Sequence, residues 1–108
     1  MKVAITSTGN SLISKVDQRF GRCAYFVIYD TITKAMEFIP NAGIHAEEGA
    51  GSAAVQLIAS RKVEKIVSVE FGFKVKPLLD SLKIQMISIK GEHTVQEIID
   101  MIDNPNNK

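Results

Sequence analysis

The sequence has 108 residues, of which 45% are hydrophobic, and its 13 basic and 12 acidic side chains give a formal net charge of +1. This length suits one compact domain over residues 1–108, and the hydrophobic share is enough for a core without a disulfide or a metal. The near-neutral charge argues against general binding of nucleic acids or membrane surfaces, which usually requires a basic excess.

The chain has a single cysteine, Cys23, which excludes an intrachain disulfide. The apolar run Met1–Ile5 is too short for a signal peptide. No apolar run approaches the roughly 20 residues of a membrane-spanning helix. We therefore expect a cytoplasmic protein. Because an iron–sulfur cluster usually takes about four thiolates, any cluster here must be held mostly by other groups or shared between chains.

The first half of the chain predicts three strands. Residues 2–6 form a short buried strand that ends in the polar loop Ser7–Asn10. Residues 24–29 are rich in aromatic and β-branched side chains, which favour a second strand. Residues 35–39 predict a third strand, which Pro40 ends. The short polar connection between the last two strands predicts an antiparallel hairpin.

The second half alternates helices and strands, recognised by the spacing of apolar residues. Thr94 and Glu97 form the pattern of a capping box at the start of the last helix. The polar tail to Lys108 is expected to fray. The predicted elements are a helix from Gly49 to about Ser60, a strand over 65–69, a helix over 75–82, a strand over 85–89 and a helix over 95–102.

This order of elements predicts an α/β fold. A strand–helix–strand crossover requires parallel strands and a right-handed connection, whereas the hairpin adds antiparallel pairing. We therefore expect a mixed sheet of about five strands, one of them antiparallel, with helices on both faces.

A short polar loop before the second strand carries Arg19, Gly21 and Arg22. Arginine supplies a permanent positive charge and several fixed hydrogen-bond donors, which suit an anionic ligand. Glycine between the two arginines lets the loop backbone come near a ligand. The alternative is that the arginines are solvated or pair with the carboxylates of Asp17, Glu47 or Glu48.

The residues Gly49, Gly51 and Ser52 open the first predicted helix. A helix start offers free backbone N–H groups and the positive end of the helix dipole, which favour an anion. The alternative is close packing of the helix on the sheet. The segment lacks the lysine and hydroxyl residue of a Walker loop and the spacing of a dinucleotide fingerprint.

Two residues could ligate a metal. Cys23 could act as a soft thiolate ligand beside Arg22, and His45 lies in a loop where its imidazole could bind a metal. The alternatives are a small buried apolar role for the cysteine and a plain surface position for the histidine. The histidine and cysteine spacing matches no zinc site.

Three features together suggest a family. They are the segment Val16–Cys23 (VDQRFGRC) before a YFVIYD strand, Asn41 after the hairpin, and Gly49-Ala50-Gly51 at a helix start. On these residues the sequence resembles the dinitrogenase iron–molybdenum cofactor biosynthesis family. The resemblance implies a ribonuclease H-like three-layer α/β/α domain that binds a metal–sulfur cluster without catalysis. Residues 70–77 depart from the glycine-rich turn that the family often has there.

We therefore expect a non-enzymatic carrier or accessory protein for an anionic metal–sulfur cluster of the iron–molybdenum type, or for its precursor. Its site would lie between the Ser7–Asn10 loop, the Arg19–Cys23 loop and the Gly49–Ser52 helix start. The expected partners are the cluster and cluster-biosynthesis proteins, with no nucleic acid and no membrane. The expected state is a monomer or weak homodimer.

Two alternatives remain open. The same loops could serve a regulatory module that binds a small anion or a nucleotide. A hydrolase on the ribonuclease H-like scaffold would use clustered carboxylates to hold two metal ions. The candidates for that role are Asp17, Asp30 and Glu70, but the first strand carries no carboxylate, which disfavours a nuclease.

Overall fold

The computed structural model describes residues 1–105. Every predicted strand and helix is present, with its ends within one residue of the expected positions. The expected fraying of the tail to Lys108 concerns residues beyond those described. The elements are β1 (Lys2–Ser7), β2 (Tyr25–Asp30), β3 (Met36–Pro40), α1 (Ala50–Ser60), β4 (Lys65–Ser68), α2 (Val75–Ser81), β5 (Gln85–Ser88) and α3 (Val95–Asp103).

The five strands form one mixed sheet in the order β3-β2-β1-β4-β5. β2 is antiparallel to both of its neighbours, whereas β1, β4 and β5 are parallel. The prediction of one antiparallel strand in a five-stranded sheet is therefore confirmed. The ribonuclease H-like label remains an implication of the resemblance. β1 and β4 end at the same edge of the sheet, and β2 begins there because Ser7 pairs with Tyr25.

Helices cover both faces of the sheet, as predicted. Successive side chains of a strand point to opposite faces, so each strand feeds two cores. In β1, Ala4 belongs to the cluster that includes Ile58 of α1 and Leu79 of α2. The next residue, Ile5, belongs to the cluster that includes Ile98 of α3. The molecule thus has three layers, with α1 and α2 on one side and α3 on the other.

The first backbone amides of α3 donate hydrogen bonds to the capping residues of the helix itself and to a neighbouring loop. Thr94 Oγ1 accepts a hydrogen bond from the Glu97 N–H at 3.1 Å, and Glu97 Oε1 accepts one from the Thr94 N–H at 2.9 Å. This pair confirms the predicted capping box. The next two amides, of Val95 and Gln96, donate to backbone carbonyls between β1 and β2. Over residues 1–105, no helix has both the length and the apolar character that crossing a membrane demands.

Candidate functional site

A cleft of about 760 Å³ opens at the sheet edge where β1 and β4 end. Ligand sites of open α/β sheets commonly lie outside the carboxyl ends of the strands. Three segments line this cleft: Arg19–Arg22 before β2, Glu47–Gly51 at the start of α1, and the β4–α2 connection with Glu70–Gly72, Lys74 and Val75. The structure therefore brings together the arginine loop and the glycine-led helix start, as the sequence predicts.

The walls of the cleft meet at two glycines. A Cβ atom added to Gly21 would lie 3.1 Å from both the N and the Cα atom of Gly51. A Cβ atom added to Gly51 would lie only 2.6 Å from Cγ1 of Val75. These distances leave no room for a side chain at Gly51 unless Val75 moves. Both glycines therefore allow the arginine loop, α1 and α2 to approach one another, so the packing alternative holds for Gly51.

The start of α1 is open, because no side chain caps it and its first turn carries no acidic residue. Gly49 precedes it in the left-handed conformation, with φ 76°, and its carbonyl accepts from the Ala53 N–H at 2.9 Å. Within residues 1–105, the four amides of Gly49–Ser52 have no protein acceptor. Gly49 and Gly51 line the cleft, whereas the exposed Ser52 does not. This wall can donate hydrogen bonds to an anion.

Arg22 and Arg19 have different environments. Arg22 Nη1 donates to the carbonyl oxygen of Ile44 at 3.2 Å and to that of Ala46. Its guanidinium therefore fixes the loop that leads into α1. Arg19 is exposed, and in the described part of the chain its guanidinium has no hydrogen bond or ion pair. Because Arg19 also lines the cleft, its charge is available to a guest.

Asn41 ties the arginine loop to the loop before α1. It is 6% exposed, and its Nδ2 donates to the carbonyls of Gly21 at 3.1 Å and Cys23 at 2.9 Å. Its Oδ1 accepts from the Gly43 N–H at 3.1 Å. Residue patterns gave Asn41 no chemical role, although its place after the hairpin was part of the family resemblance.

The charges around the cleft are mixed. The basic residues of the lining are Arg19, Arg22 and Lys74, and the acidic ones are Glu47, Glu48 and Glu70. The formal charges therefore cancel, so the cleft as a whole is not electropositive. Attraction for an anion must come from donors at short range, namely the α1 amides and the Arg19 guanidinium.

Cys23 lies in the core, and its side chain does not line the cleft. The residue is 0% exposed, and its Sγ donates to the carbonyl oxygen of Phe20 at 3.4 Å. Burial, with a further contribution from Asp17, raises the pKa of the Cys23 thiol to about 12. The thiol is therefore protonated at neutral pH, which favours the apolar packing alternative over metal ligation.

His45 is exposed in the loop before α1 and is not among the residues that line the cleft. The structure thus does not bring it together with Arg19 or Cys23. Across residues 1–105, no three side chains of histidine, cysteine, aspartate or glutamate are grouped so that they could hold a metal ion.

The third wall of the cleft differs from the one expected. The Ser7–Asn10 loop does not line it, and Thr8 instead borders a separate cavity of about 350 Å³. The segment before β2 separates the Ser7–Asn10 loop from the cleft. This segment is bound to the β4–α2 connection, because the Glu70 N–H donates to the Gln18 carbonyl at 2.7 Å and the Phe20 N–H donates to the Glu70 carbonyl at 3.2 Å. The β4–α2 connection, instead of the Ser7–Asn10 loop, forms the third wall of the cleft.

The fold and the cleft define a class, namely three-layer α/β proteins with a cleft at the carboxyl edge of a mixed sheet. The sequence profile of the dinitrogenase iron–molybdenum cofactor family matches residues 1–104. This chain therefore belongs to that family, and the resemblance seen in the sequence is confirmed. Membership indicates a cofactor-associated accessory role.

Two of the solved structures that are similar to the chain share 30% or more of its residues. One is the apo form of the orange protein from Desulfovibrio gigas, at 30% identity and a TM-score of 0.87, covering 96% of this chain and 88% of that one. The other is a putative NifB protein from Thermotoga, described as a DUF35 family member, at 34% identity and a TM-score of 0.83, covering 95% and 87%. Among curated proteins, none is significantly similar.

Proposed function

We propose that this protein is a non-enzymatic carrier that binds an anionic metal–sulfur cluster of the iron–molybdenum type, or its precursor, in the cleft. The observation that carries the proposal is the open start of α1, where, within residues 1–105, four amides have no acceptor and the nearby Arg19 guanidinium has no partner. Family membership supports the class of guest. A cytoplasmic location, association with cluster-biosynthesis proteins and a monomeric or weakly dimeric state are parts of the same proposal.

The lining indicates how such a guest is held. Among the described residues it contains no cysteine, histidine or methionine, and its three carboxylates are not grouped so that they could hold a metal ion. The groups that it offers to an anion are amide, guanidinium and ammonium donors. Such donors bind the outer sulfur or oxygen atoms of a cluster and leave its metals to their own ligands. The guest is therefore bound as an intact anion, and Cys23 remains a core residue in this proposal.

Arg22 and Asn41 support the site from outside the contact. Arg22 holds the loop over residues 44–46, and Asn41 joins that loop to the arginine loop. Together they set the position of the α1 start relative to Arg19. We expect their loss to weaken binding by displacing the donors.

The direct test is anaerobic reconstitution with iron, sulfide and molybdate, followed by desalting and measurement of visible absorption and metal content. We expect bound metal and a visible chromophore in the unmodified protein. Metal no higher than in a protein-free blank would reject the proposal.

Two variants sharpen this test. Arg19→Ala should reduce loading about tenfold through loss of a charged hydrogen bond. Lys62→Ala removes the same charge just beyond the other end of α1, roughly 18 Å away at 1.5 Å per residue, and should load normally. If Cys23→Ser abolishes loading while Arg19→Ala does not, thiolate ligation replaces the proposed mode.

A second candidate is a regulatory module that binds a phosphate or a nucleotide. The same unpaired amides favour it, because phosphate is a common ligand of open helix starts. Thermal-shift measurements with nucleotides and inorganic phosphate distinguish the two functions. Stabilisation by a nucleotide but by no metal–sulfur species would replace the carrier proposal.

A further inference from the structure

The segment that leads into α2, together with α2 itself, exposes apolar side chains beside the cleft. Phe73 is 79% exposed, Leu78 40% and Leu82 50%. Lys74, Leu78 and Leu82 follow one another at four-residue steps, so they form one row along the helix. We refer to this row together with Phe73 as the α2 face.

Phe73 is held at the surface by the residues on both sides of it. Phe71 packs against Phe20 with ring centroids 5.7 Å apart, and Val75 is buried. Phe73 therefore lies exposed between two residues that contact the core. A large exposed apolar side chain, with two exposed leucines in and just after the adjoining helix, is typical of a surface that another protein covers.

The surroundings of the α2 face are basic. Residues 73–83 carry three lysines and one aspartate, for a formal charge of +2. Lys74, Lys76 and Lys83 are exposed, and as far as residue 105 none of them lies within ion-pair distance of a carboxylate. Unpaired cations around apolar side chains complement a surface with carboxylates around apolar side chains.

The α2 face is continuous with the cleft, because Gly72, Lys74 and Val75 line the cleft and Phe73 lies among them in the chain. We propose that the α2 face is the docking surface for a partner protein that presents carboxylates around apolar residues, and that this partner delivers or receives the guest of the cleft. The role in delivery rests on the proposed function, whereas the docking surface does not.

A second copy of this chain fits the α2 face less well. Its acidic, partly apolar helix is α3, where Met101 is 49% exposed. All three carboxylates of α3 already accept hydrogen bonds: Glu97 in the capping box, Asp100 from the side-chain amide of the residue four positions before it, and Asp103 from Tyr29 and Lys34. A separate acidic partner is therefore the better match for unpaired lysines.

The probe for this surface is a synthetic amphipathic peptide with leucine and phenylalanine on one helical face and glutamate on the other. It is added to the ¹⁵N-labelled protein and followed by NMR. We expect shift changes to concentrate on residues 72–83 and the affinity to fall as salt rises. A peptide with lysine in place of glutamate should bind about tenfold more weakly or worse.

Variants separate specific docking from general charge attraction. Phe73→Ala should weaken peptide binding about fivefold or more, and the pair Lys76→Glu with Lys83→Glu should weaken it about tenfold. The control pair, Lys62→Glu with Lys65→Glu, makes the same charge change in the α1–β4 connection and at the first residue of β4, and it should change affinity less than about twofold. Equal losses in both pairs would overturn the proposal.

Two further outcomes would also overturn it. One is the absence of shift changes on residues 72–83 at saturating peptide, and the other is concentration-dependent shifts without peptide, which would indicate a second copy instead. All of these measurements use protein without a guest. Failed peptide binding with normal metal loading therefore rejects only the docking surface, and failed loading with normal peptide binding rejects only the proposed function.

Discussion

The starts of α1 and α3 are two solutions to the same problem, since the first four amides of any helix lack partners within it. At α3, the capping box and two carbonyls of a neighbouring loop accept from the amides of Thr94–Glu97. At α1, the amides of Gly49–Ser52 have no acceptor in the described chain, and the first three of these residues border the cleft. The difference indicates that the folded chain itself supplies acceptors for the first amides of α3, whereas it leaves those of α1 available to a ligand.

The largest expected effect comes from closing the space at the start of α1. Gly51→Ala places a Cβ atom 2.6 Å from Cγ1 of Val75, so the wall of the cleft must move. We expect the free energy of unfolding to fall by about 1–3 kcal/mol, as measured by urea denaturation, and metal loading to be lost.

The matched control for that change is Gly72→Ala, because Gly72 also lines the cleft but an added Cβ atom there meets nothing within 4 Å. It should leave stability and loading close to those of the unmodified protein. Equal stability of the Gly51 and Gly72 variants would contradict the packing described here.

The closed start of α3 gives the next largest effect. Thr94→Ala removes the side chain that accepts from the Glu97 N–H, and we expect a loss of about 1 kcal/mol of unfolding free energy. Metal loading of the folded variant should not change, because α3 lies on the opposite face of the sheet from α1. Reduced loading per folded molecule would mean that the two helix starts are not independent.

A smaller effect is expected when the start of α1 is given an acidic residue like the one at the start of α3. Ser52 occupies the position in α1 that Glu97 occupies in α3, three residues after the cap. Ser52→Glu supplies an anion to the open amides and should add about 0.3–1 kcal/mol of stability while weakening metal loading severalfold. The neutral control, Ser52→Gln, should have a smaller effect on loading. Unchanged loading in the glutamate variant would count against a role for these amides.

The smallest effect is a dependence of stability on pH. The hydrogen bond from the Thr94 N–H lowers the pKa of Glu97 below its usual value. A carboxyl with a lowered pKa stabilises the fold above its unfolded pKa, and this contribution disappears as pH falls through the folded pKa. Glu97→Gln should therefore lose less stability than the unmodified protein on acidification below about pH 4.3, measured by thermal unfolding. Identical acid sensitivity would mean that folding does not lower the pKa of Glu97.

The regular spacing of apolar residues in the sequence predicts the helices and strands of this molecule. The apolar stripes, the short strands and the Thr94–Glu97 pair predict all eight elements, because each leaves a pattern within its own short segment of sequence. The meeting of the arginine loop with the α1 start follows from strand order, since both connections reach the same edge of the sheet.

The remainder of the site depends on contacts between irregular segments, which produce no periodic pattern in the sequence. Arg22 binds carbonyls of residues 44 and 46, and Glu70 pairs with the segment before β2, through irregular backbone. The sequence therefore could not separate the free Arg19 from the engaged Arg22, nor exclude the Ser7–Asn10 loop from the cleft. Cys23 follows a polar loop in the sequence, whereas in the structure it is fully buried, its thiol donating to the Phe20 carbonyl and its own carbonyl accepting from Asn41.

The open start of α1 is tested most directly by hydrogen–deuterium exchange, compared between the protein as purified without metal and after reconstitution with iron, sulfide and molybdate. We predict that the amides of Gly49–Ser52 exchange quickly in the first state and slowly in the second, while those of Thr94–Glu97 are protected in both. Bound metal without added protection at Gly49–Ser52 would contradict the account.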